Sequence, residues 1–493
     1  MVLALAAPHA LVGVFYDDGI YAALAKSLAT GHGYHLLYLP GTPGAVHYPI
    51  LYPAFLAALW LLAPAFPANA PLMAAANAVL MAAFAGILAA YLARLVPGRP
   101  WIAAVATLIA VLSVPLVAVT TMLFSEPLFL VLAALACWCA DWAAEREPRS
   151  LGPAALAGAL AGLTMLTRSI GLAVVVGVGV ALWRARRRAA AAVACGAALV
   201  VVAPWLAWSA AHGGDVEPVL VANYGTYGAL LKQSGLGWIG PGSLVGFVRP
   251  LAALALPPGP AVARVAAGLL LLGVLVLGVR ALLRRAPAAG WMLLAYLVIV
   301  ALWPYAPDRF VWAALPWLLC AFAAGVHDAV TRSGAHAVWW RGAGLAAAAL
   351  VGLGMVPRQA IGLAHGDATR TARGISAIFA QVLPWIRTAT DTSAVVASED
   401  EALIWLYTGR RAVPSYLWRV RGRDAESFGP DTLRAFLRRS GVTHLVLTGL
   451  ASDAAPTIDA LLAREPGFLH LVRVWPGPIM AFAVWQPPAG SGP

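Results

Sequence analysis

The feature that most restricts this chain is a succession of apolar stretches too long and too numerous for a water-soluble core. They run near 1–16, 50–66, 70–96, 101–119, 124–143, 152–183, 189–211, 261–283, 288–304, 309–330 and 338–357. A helix rises about 1.5 Å per residue, so roughly 20 apolar residues cross a hydrocarbon layer of about 30 Å. Counted this way the chain has about eleven spans. Only 11% of its 493 residues are charged and 61% are hydrophobic, against about 25% charged in soluble domains. The expected fold class is therefore an all-α polytopic membrane protein, with lipid as the solvent for most of the chain.

The net charge is +12, but Lys26 and Lys232 are the only lysines, so the excess is nearly all arginine. The arginines gather in short clusters between apolar stretches: Arg184, Arg186, Arg187 and Arg188; Arg280, Arg284 and Arg285; Arg332 with Arg341. Such clusters set membrane orientation and mark cytoplasmic loops. No basic patch is interleaved with aromatic residues, so nucleic acid is not an expected partner. Cys137, Cys139, Cys195 and Cys320 all lie in apolar stretches without metal-ligand spacing and read as packing residues. No basic region or small-residue cleavage site precedes Asp17, which argues against a removed signal peptide.

Crossings counted from the arginine clusters put the loop 17–49, the surroundings of Ser125 and Glu126, the loop 212–260, the turn 304–309 and everything after 358 on the face opposite the cytoplasm. That count requires 50–66, broken by Pro64 and Pro67, to be interfacial or re-entrant; otherwise Arg94 and Arg99 would lie outside. The stretch 152–183 is too long for one span and reads as two short helices meeting near Arg168. After Pro357 the chain becomes mixed and polar. Strand-like SAVVAS (393–398), THLVLTG (443–449), HLVRVW and IMAFAVW alternate with helical DEALIWLY (400–407) and TIDALLARE (457–465), which predicts a small extracytoplasmic α/β domain. The expected division is a transmembrane domain over 1–357, with loops 17–49 and 212–260, and an α/β domain over 358–493.

The densest chemistry is FYDDGIYAALAKSLATGHGY (15–34), followed by VHYPILYPAFLAALW (46–60). Asp17 and Asp18 emerge where the first apolar stretch ends, with their carboxylates able to face a site at the membrane surface; Asp18 reads equally as a helix cap. Glu126, in MLFSEPLFLVL, is embedded in an apolar run, where an ionisable group is costly enough to imply function. Its alternative is an acid at a helix start, with Pro127 early in the helix. Arg168 and Arg309 lie away from the cytoplasmic clusters, and a guanidinium at the outer face suits a lipid-linked phosphate. Their alternatives are a topology anchor for Arg168, and an Asp308–Arg309 surface pair or snorkelling for Arg309. His47 and Tyr48 are further candidates for phosphate contact. The loop 212–260, with His212, Asp215, Glu217, Tyr224, Tyr227, Lys232 and Trp238, reads as a cover for acceptor or lipid. No Walker loop, dinucleotide fingerprint, nucleophile elbow or HExxH motif occurs.

At these residues the chain resembles the GT-C glycosyltransferases of the dolichyl-phosphate-mannose protein mannosyltransferase type, including the aminoarabinose transferases of lipid A. The resemblance rests on Asp17, Asp18, Tyr21, Gly31, Gly33, Tyr34, Tyr48, Pro49 and Pro53, then Ser125 and Glu126, then Thr167, Arg168 and Gly171, then Arg309 and Phe310, and on the tail motif VVASEDEALIWLYTGRRAVP (395–414). It implies transfer of a sugar from a polyprenyl-phosphate donor to an extracytoplasmic acceptor at the plasma or inner membrane, by inverting displacement. In that reading Asp17, Asp18 and Glu126 are catalytic, and Arg168, Arg309, His47 and Tyr48 hold the donor phosphate. Glu126 would orient the acceptor or join Asp17 in holding a divalent metal, which two acids permit without establishing. The chain departs from the aminoarabinose enzymes at Ile20, where they carry Arg, and at Tyr48, where they carry Lys, which leaves the sugar open. The rival from another class is a flippase for a lipid-linked saccharide; such proteins tend to carry inverted repeats, and none is visible here.

Overall fold

The computed structural model describes residues 10–146, 150–234, 241–256, 258–303, 308–421, 424–450 and 454–485, with the side chains of 241–244, 308 and 424 excepted. The expected first span therefore falls mostly outside the described residues, as does Trp238. Among the described residues six helices are long and apolar enough to cross a membrane: Ala70–Leu95, Glu126–Glu145, Arg188–His212, Ala261–Arg285, Arg309–Thr331 and Ala337–Ala389. The pair Trp101–Val111 and Val114–Thr121, bent by 64°, adds a seventh if it is one span. Four shorter apolar helices, Leu51–Leu62, Gly152–Thr167, Ser169–Arg184 and Pro287–Ala301, lie in the stretches 50–66, 152–183 and 288–304, and a fifth, Val245–Ala255, lies within the segment that the sequence reads as the loop 212–260. The protein is a multi-pass membrane protein. Length and apolarity alone mark six or seven crossings, against the eleven stretches read from the sequence.

The stretch 50–66 holds one short helix, and the stretch 152–183 breaks in two as expected. Leu51–Leu62 reaches only about 18 Å at 1.5 Å per residue, with Leu61 and Leu62 exposed at its end. The stretch 152–183 breaks at Arg168, whose φ of −152° and ψ of 135° interrupt two helices joined by a single 3-10 turn, Ser169–Gly171. Gly171 is required there, because a Cβ at this position would overlap the backbone of Thr164.

Among the described residues the chain forms two compact units, one of 74–206 and 241–368, the other of 10–73, 207–234 and 369–485. The first is all helical. Along Ala261–Arg285, Val262, Val265, Leu269, Leu272 and Val276 are exposed at three- and four-residue spacing, a stripe that in water would be an aggregation hazard and in lipid is solvated. The opposite side carries Gly278, which meets the backbone of Ala321, while Gly325 on the facing helix meets that of Val274. Membrane helices lack a hydrophobic drive to associate with one another, and small residues of this kind let their backbones approach closely.

One end of this unit gathers arginines and their partners. Arg285 Nη1 donates to Leu95 O at 2.6 Å and pairs with Asp328 at 2.8 Å. Asp141 accepts from Tyr91 Oη at 2.6 Å and from the Ala288 amide at 3.0 Å, with Arg94 at 3.6 Å; Arg187 donates to Arg146 O. The turns near 95, 146, 187 and 288 therefore share one end, so Arg94 lies with the other clusters as the topology required. Glu126, Arg168 and Arg309 occupy the opposite ends of their helices.

The second unit carries a mixed sheet. Its strands are β1 (Val395–Ser398), β2 (Arg411–Pro414), β3 (Trp418–Arg421), β4 (Asp424–Ser427), β5 (Val442–Leu447), β6 (Leu469–Val474) and β7 (Met480–Val484). The five-stranded sheet has the order β2-β1-β5-β7-β6, with β1 parallel to β2 and β5, and β7 antiparallel to β5 and β6. Strands β3 and β4 form a separate antiparallel hairpin. The helix Glu401–Thr408 crosses from β1 to β2 and ends at Gly409, whose φ of 74° is the left-handed cap that glycine favours. The α/β character of the tail is as read. Strand β2 and the β3–β4 hairpin are additional, too short or too polar to show an apolar alternation.

Candidate active site

In the helical unit the chemistry centres on Glu126. Its side chain is fully buried at the first residue of the Glu126–Glu145 helix. Arg168 Nη1 reaches Glu126 Oε1 at 2.8 Å and Ser125 Oγ at 3.0 Å. Arg309 Nε reaches Oε1 at 3.0 Å and its Nη2 reaches Oε2 at 3.4 Å. The Arg309 guanidinium lies 3.7 Å from the centre of the Phe124 ring, and that of Arg168 lies 5.8 Å from Phe310. Asn77, wholly buried on the Ala70–Leu92 helix, donates from Nδ2 to Met122 O at 3.0 Å and Phe124 O at 3.2 Å, fixing the strand of chain that leads into Glu126.

Two guanidinium groups around one carboxylate leave one net positive charge, and an isolated buried Glu126 would be untenable without them. Both arginines are tied to this one buried carboxylate. The Asp308 side chain lies outside the described residues. The cationic surroundings of Glu126 disfavour a divalent metal there, and no group of three or more His, Cys, Asp or Glu side chains that could hold one occurs among the described residues.

In the second unit the first loop folds around Asp17 and Asp18, the opening residues of the Asp17–Ala29 helix. The two acids have different roles. Asp18 is buried, and its Oδ2 and Oδ1 accept the backbone N–H groups of Gly13 at 2.7 Å and Phe15 at 2.9 Å, so it anchors the turn before the helix. Asp17 is only half-buried, and its Oδ1 accepts from Tyr48 Oη at 2.6 Å, a short charge-assisted bond. Burial, and then the charge of Asp17, push the Tyr48 phenol well above its usual pKa, so it remains a donor.

Tyr16, immediately before Asp17, has φ 63° and ψ −68°, and the Asp17 N–H donates to Phe15 O at 2.7 Å. This is the γ-turn of positive φ, a rare and strained conformation. Strain of this kind persists where the surroundings over-determine it. Tyr16 Oη donates to Glu401 Oε1 at 3.0 Å and accepts from Asn223 Nδ2 at 3.0 Å, and Tyr224 Oη also donates to Glu401 Oε1.

His47 is half-buried, with Nδ1 placed 2.8 Å from Gly225 O and its ring 4.8 Å from both Tyr48 and Tyr227. Burial lowers its pKa, so the imidazole is neutral at pH 7 and brings no fixed charge to a phosphate. Further along the first loop, Gly31 and Gly33 stand at φ 78° and 73°, and Tyr34 Oη donates to Tyr48 O at 2.8 Å. The loop after 212 packs on the first one, Tyr227 against His47 and Asp215 Oδ2 accepting the Gly44 N–H at 3.4 Å, and meets the C-terminal tail through Glu217, paired with Arg439 at 3.2 Å.

No family model matches the chain, and no curated protein does either. Solved structures do. A crystal structure of ArnT from Cupriavidus metallidurans bound to undecaprenyl phosphate superposes with a TM-score of 0.53 at 15% identity, over 98% of this chain and 96% of that one. The apo state of the same protein gives 0.53 at 16% identity, over 94% and 92%. The Archaeoglobus fulgidus oligosaccharyltransferase tethered with an acceptor peptide gives 0.51 at 12% identity, over 95% of this chain and 70% of that one. The chain has a GT-C fold. At these identities the likeness extends to the fold alone. Within the GT-C frame the residues singled out in the sequence fall into two sets: Glu126, Arg168 and Arg309 meet in the helical unit, and Asp17, Asp18, His47 and Tyr48 in the other. Asn77, Tyr16, Asn223 and Glu401 were not singled out. Asn77 carried a signal, a polar side chain inside an apolar run, and Glu401 another, the last of three successive acids before an apolar helix.

Proposed function

We propose that this protein is a membrane glycosyltransferase that transfers a sugar from a polyprenyl-phosphate donor to an extracytoplasmic acceptor. The observation that carries the reading is the Arg168–Glu126–Arg309 cluster, one net positive charge at the end of a membrane helix, in a fold shared with a protein bound to undecaprenyl phosphate. In this reading 1–357 is the catalytic membrane domain and 358–493 an extracytoplasmic α/β domain, with the arginine-rich end of the helices toward the cytoplasm of a plasma or inner membrane.

Arg168 and Arg309 hold the donor phosphate and stabilise its charge as the bond from the anomeric carbon to the phosphate oxygen breaks. Glu126 orients both guanidinium groups. Asp17 takes the proton of the acceptor hydroxyl as that oxygen attacks the anomeric carbon, and a single displacement inverts the configuration there. Tyr48 orients the Asp17 carboxylate, Asp18 secures the turn behind it, and neutral His47 packs on Tyr48.

The test is transfer of radiolabelled sugar from a panel of polyprenyl-monophosphate sugars by the full chain in lipid, with Asp17→Asn beside the wild type. Turnover or donor hydrolysis that falls by a factor of about 100 to 10,000 in the variant, with donor binding kept, supports the base. Full activity in Asp17→Asn removes it. Scrambling of labelled lipid across vesicles without any turnover would make the protein a flippase.

A further inference from the structure

We propose that Glu401, from the C-terminal α/β tail, is a positioning residue for the reaction: acting through Tyr16, it holds the strained turn that presents Asp17. The proposal rests on the reading of Asp17 as general base.

Four observations carry it. The residue before Asp17 adopts a conformation that an L-residue avoids unless held, and its backbone amide neighbour closes the turn at 2.7 Å. The far end of that side chain is fixed by one acceptor, Glu401 Oε1, which also takes the hydroxyl of Tyr224. Asn223, one residue before Tyr224, reaches back to the same phenol. Glu401 is itself wholly buried at the start of the Glu401–Thr408 helix, and its second oxygen, Oε2, makes no hydrogen bond among the described residues. A carboxyl group in such a place is expensive to keep unless it performs a task that an apolar residue cannot, and here it is the acceptor on which two phenols from different segments converge.

Burial makes it a neutral acid at pH 7, against the hydrogen bonds from its own backbone N–H and from Tyr16, which favour the charged form. Tyr16 and Tyr38 face it from the first loop, Tyr224 from the Val221–Tyr224 helix, and Glu399 and Asp400 precede it in the chain. Asp400 lies within the field of Asp18, and Lys26 sits over the Trp405 ring at 4.3 Å. None of the side-chain bonds of Glu401 is to a cation, and burial pushes its pKa to about 8.

The experiment uses the full chain in lipid nanodiscs with the polyprenyl-monophosphate sugar that the wild type turns over, scoring transfer or donor hydrolysis. Glu401→Ala is expected to lower kcat about 100-fold with donor KM kept, the size of effect a misplacement of about 1 Å produces. Glu401→Gln keeps an oxygen for both phenols, so it is expected to retain most of kcat, the rescue that separates it from Glu401→Ala. Tyr16→Phe should resemble Glu401→Ala, and the double variant should be no worse than either single one, because both act through one contact. Unchanged kcat in Glu401→Ala, or additive losses in the double variant, would each overturn the proposal. A folded Glu401→Gln protein as inactive as Glu401→Ala would do so too. Its failure is distinct from that of the base: an inactive Asp17→Asn with a fully active Glu401→Ala removes only the positioning role.

Discussion

Replacing Glu401 by Gln should change how the stability of this protein depends on pH, and the size of the change follows from its burial. The ordinary carboxyl value of 4.5 is moved to about 8 by loss of water around the charged form. Between those two values the folded protein keeps the proton and the unfolded chain has released it. Stability conferred by this group therefore falls as pH rises from about 4.5 to about 8 and is level above, since the unfolded state binds fewer protons throughout that window. At about 1.4 kcal/mol per pH unit the full span is worth roughly 5 kcal/mol. Gln does not titrate. Its Nε2 takes the place of an oxygen that has no hydrogen bond among the described residues, so at pH 5 the variant should be less stable by about 1–3 kcal/mol. By pH 8.5 the order should be reversed. Burial also raises Glu399 and Asp400, but they are common to both proteins and cancel in the difference. Thermal unfolding of the two proteins in the same detergent, read by intrinsic fluorescence from pH 5 to pH 9, should give two Tm curves that cross. Parallel curves would refute the claim that Glu401 is held neutral by its surroundings.

Arg309→Ala should weaken binding of a polyprenyl phosphate by about 10- to 100-fold, the worth of a charge-assisted bond, measured by native mass spectrometry or scintillation proximity; unchanged binding would separate the arginine cluster from the donor. Tyr48→Phe removes the donor to Asp17 Oδ1 and is expected to lower kcat about tenfold while donor KM stays within a factor of two or so; a change confined to KM would place Tyr48 on the donor instead. Gly278→Leu drives a side chain into the Ala321 backbone and should destabilise the helical unit by at least about 1–3 kcal/mol, seen as a lower Tm, whereas the same change at lipid-exposed Val276 should have little effect.

The parts of the fold that were legible in the sequence are those with a local cause. Apolar length marked the membrane helices, and a stretch too long for one span, with Arg168 in its middle, marked the break that the structure has at that residue. Strand–helix alternation marked β1, β5, β6 and β7, because each carries its own run of apolar residues. Strand β2 is four residues long and ends in proline, and β3 and β4 hold each other through the Arg419–Glu426 pair at 2.9 Å rather than through an apolar face. Such elements exist because a neighbour is present, and no periodicity announces them.

The same division runs through the site. The sequence alone determined that lipid is the solvent, that the ionisable groups beside the apolar helices are exceptions, and which of them are acidic or basic, because the cost of burying charge in hydrocarbon makes each exception conspicuous. What it could not determine was pairing. Glu126, Arg168 and Arg309 are far apart in the chain, and Asp17 and Asp18 are adjacent yet differ in role, since one anchors backbone amides and the other meets a phenol. The contact between Tyr16 and Glu401 spans 385 residues. Only the tertiary structure decides such contacts, because a hydrogen bond acts over about 3 Å and its partners are chosen by the packing that brings distant segments together.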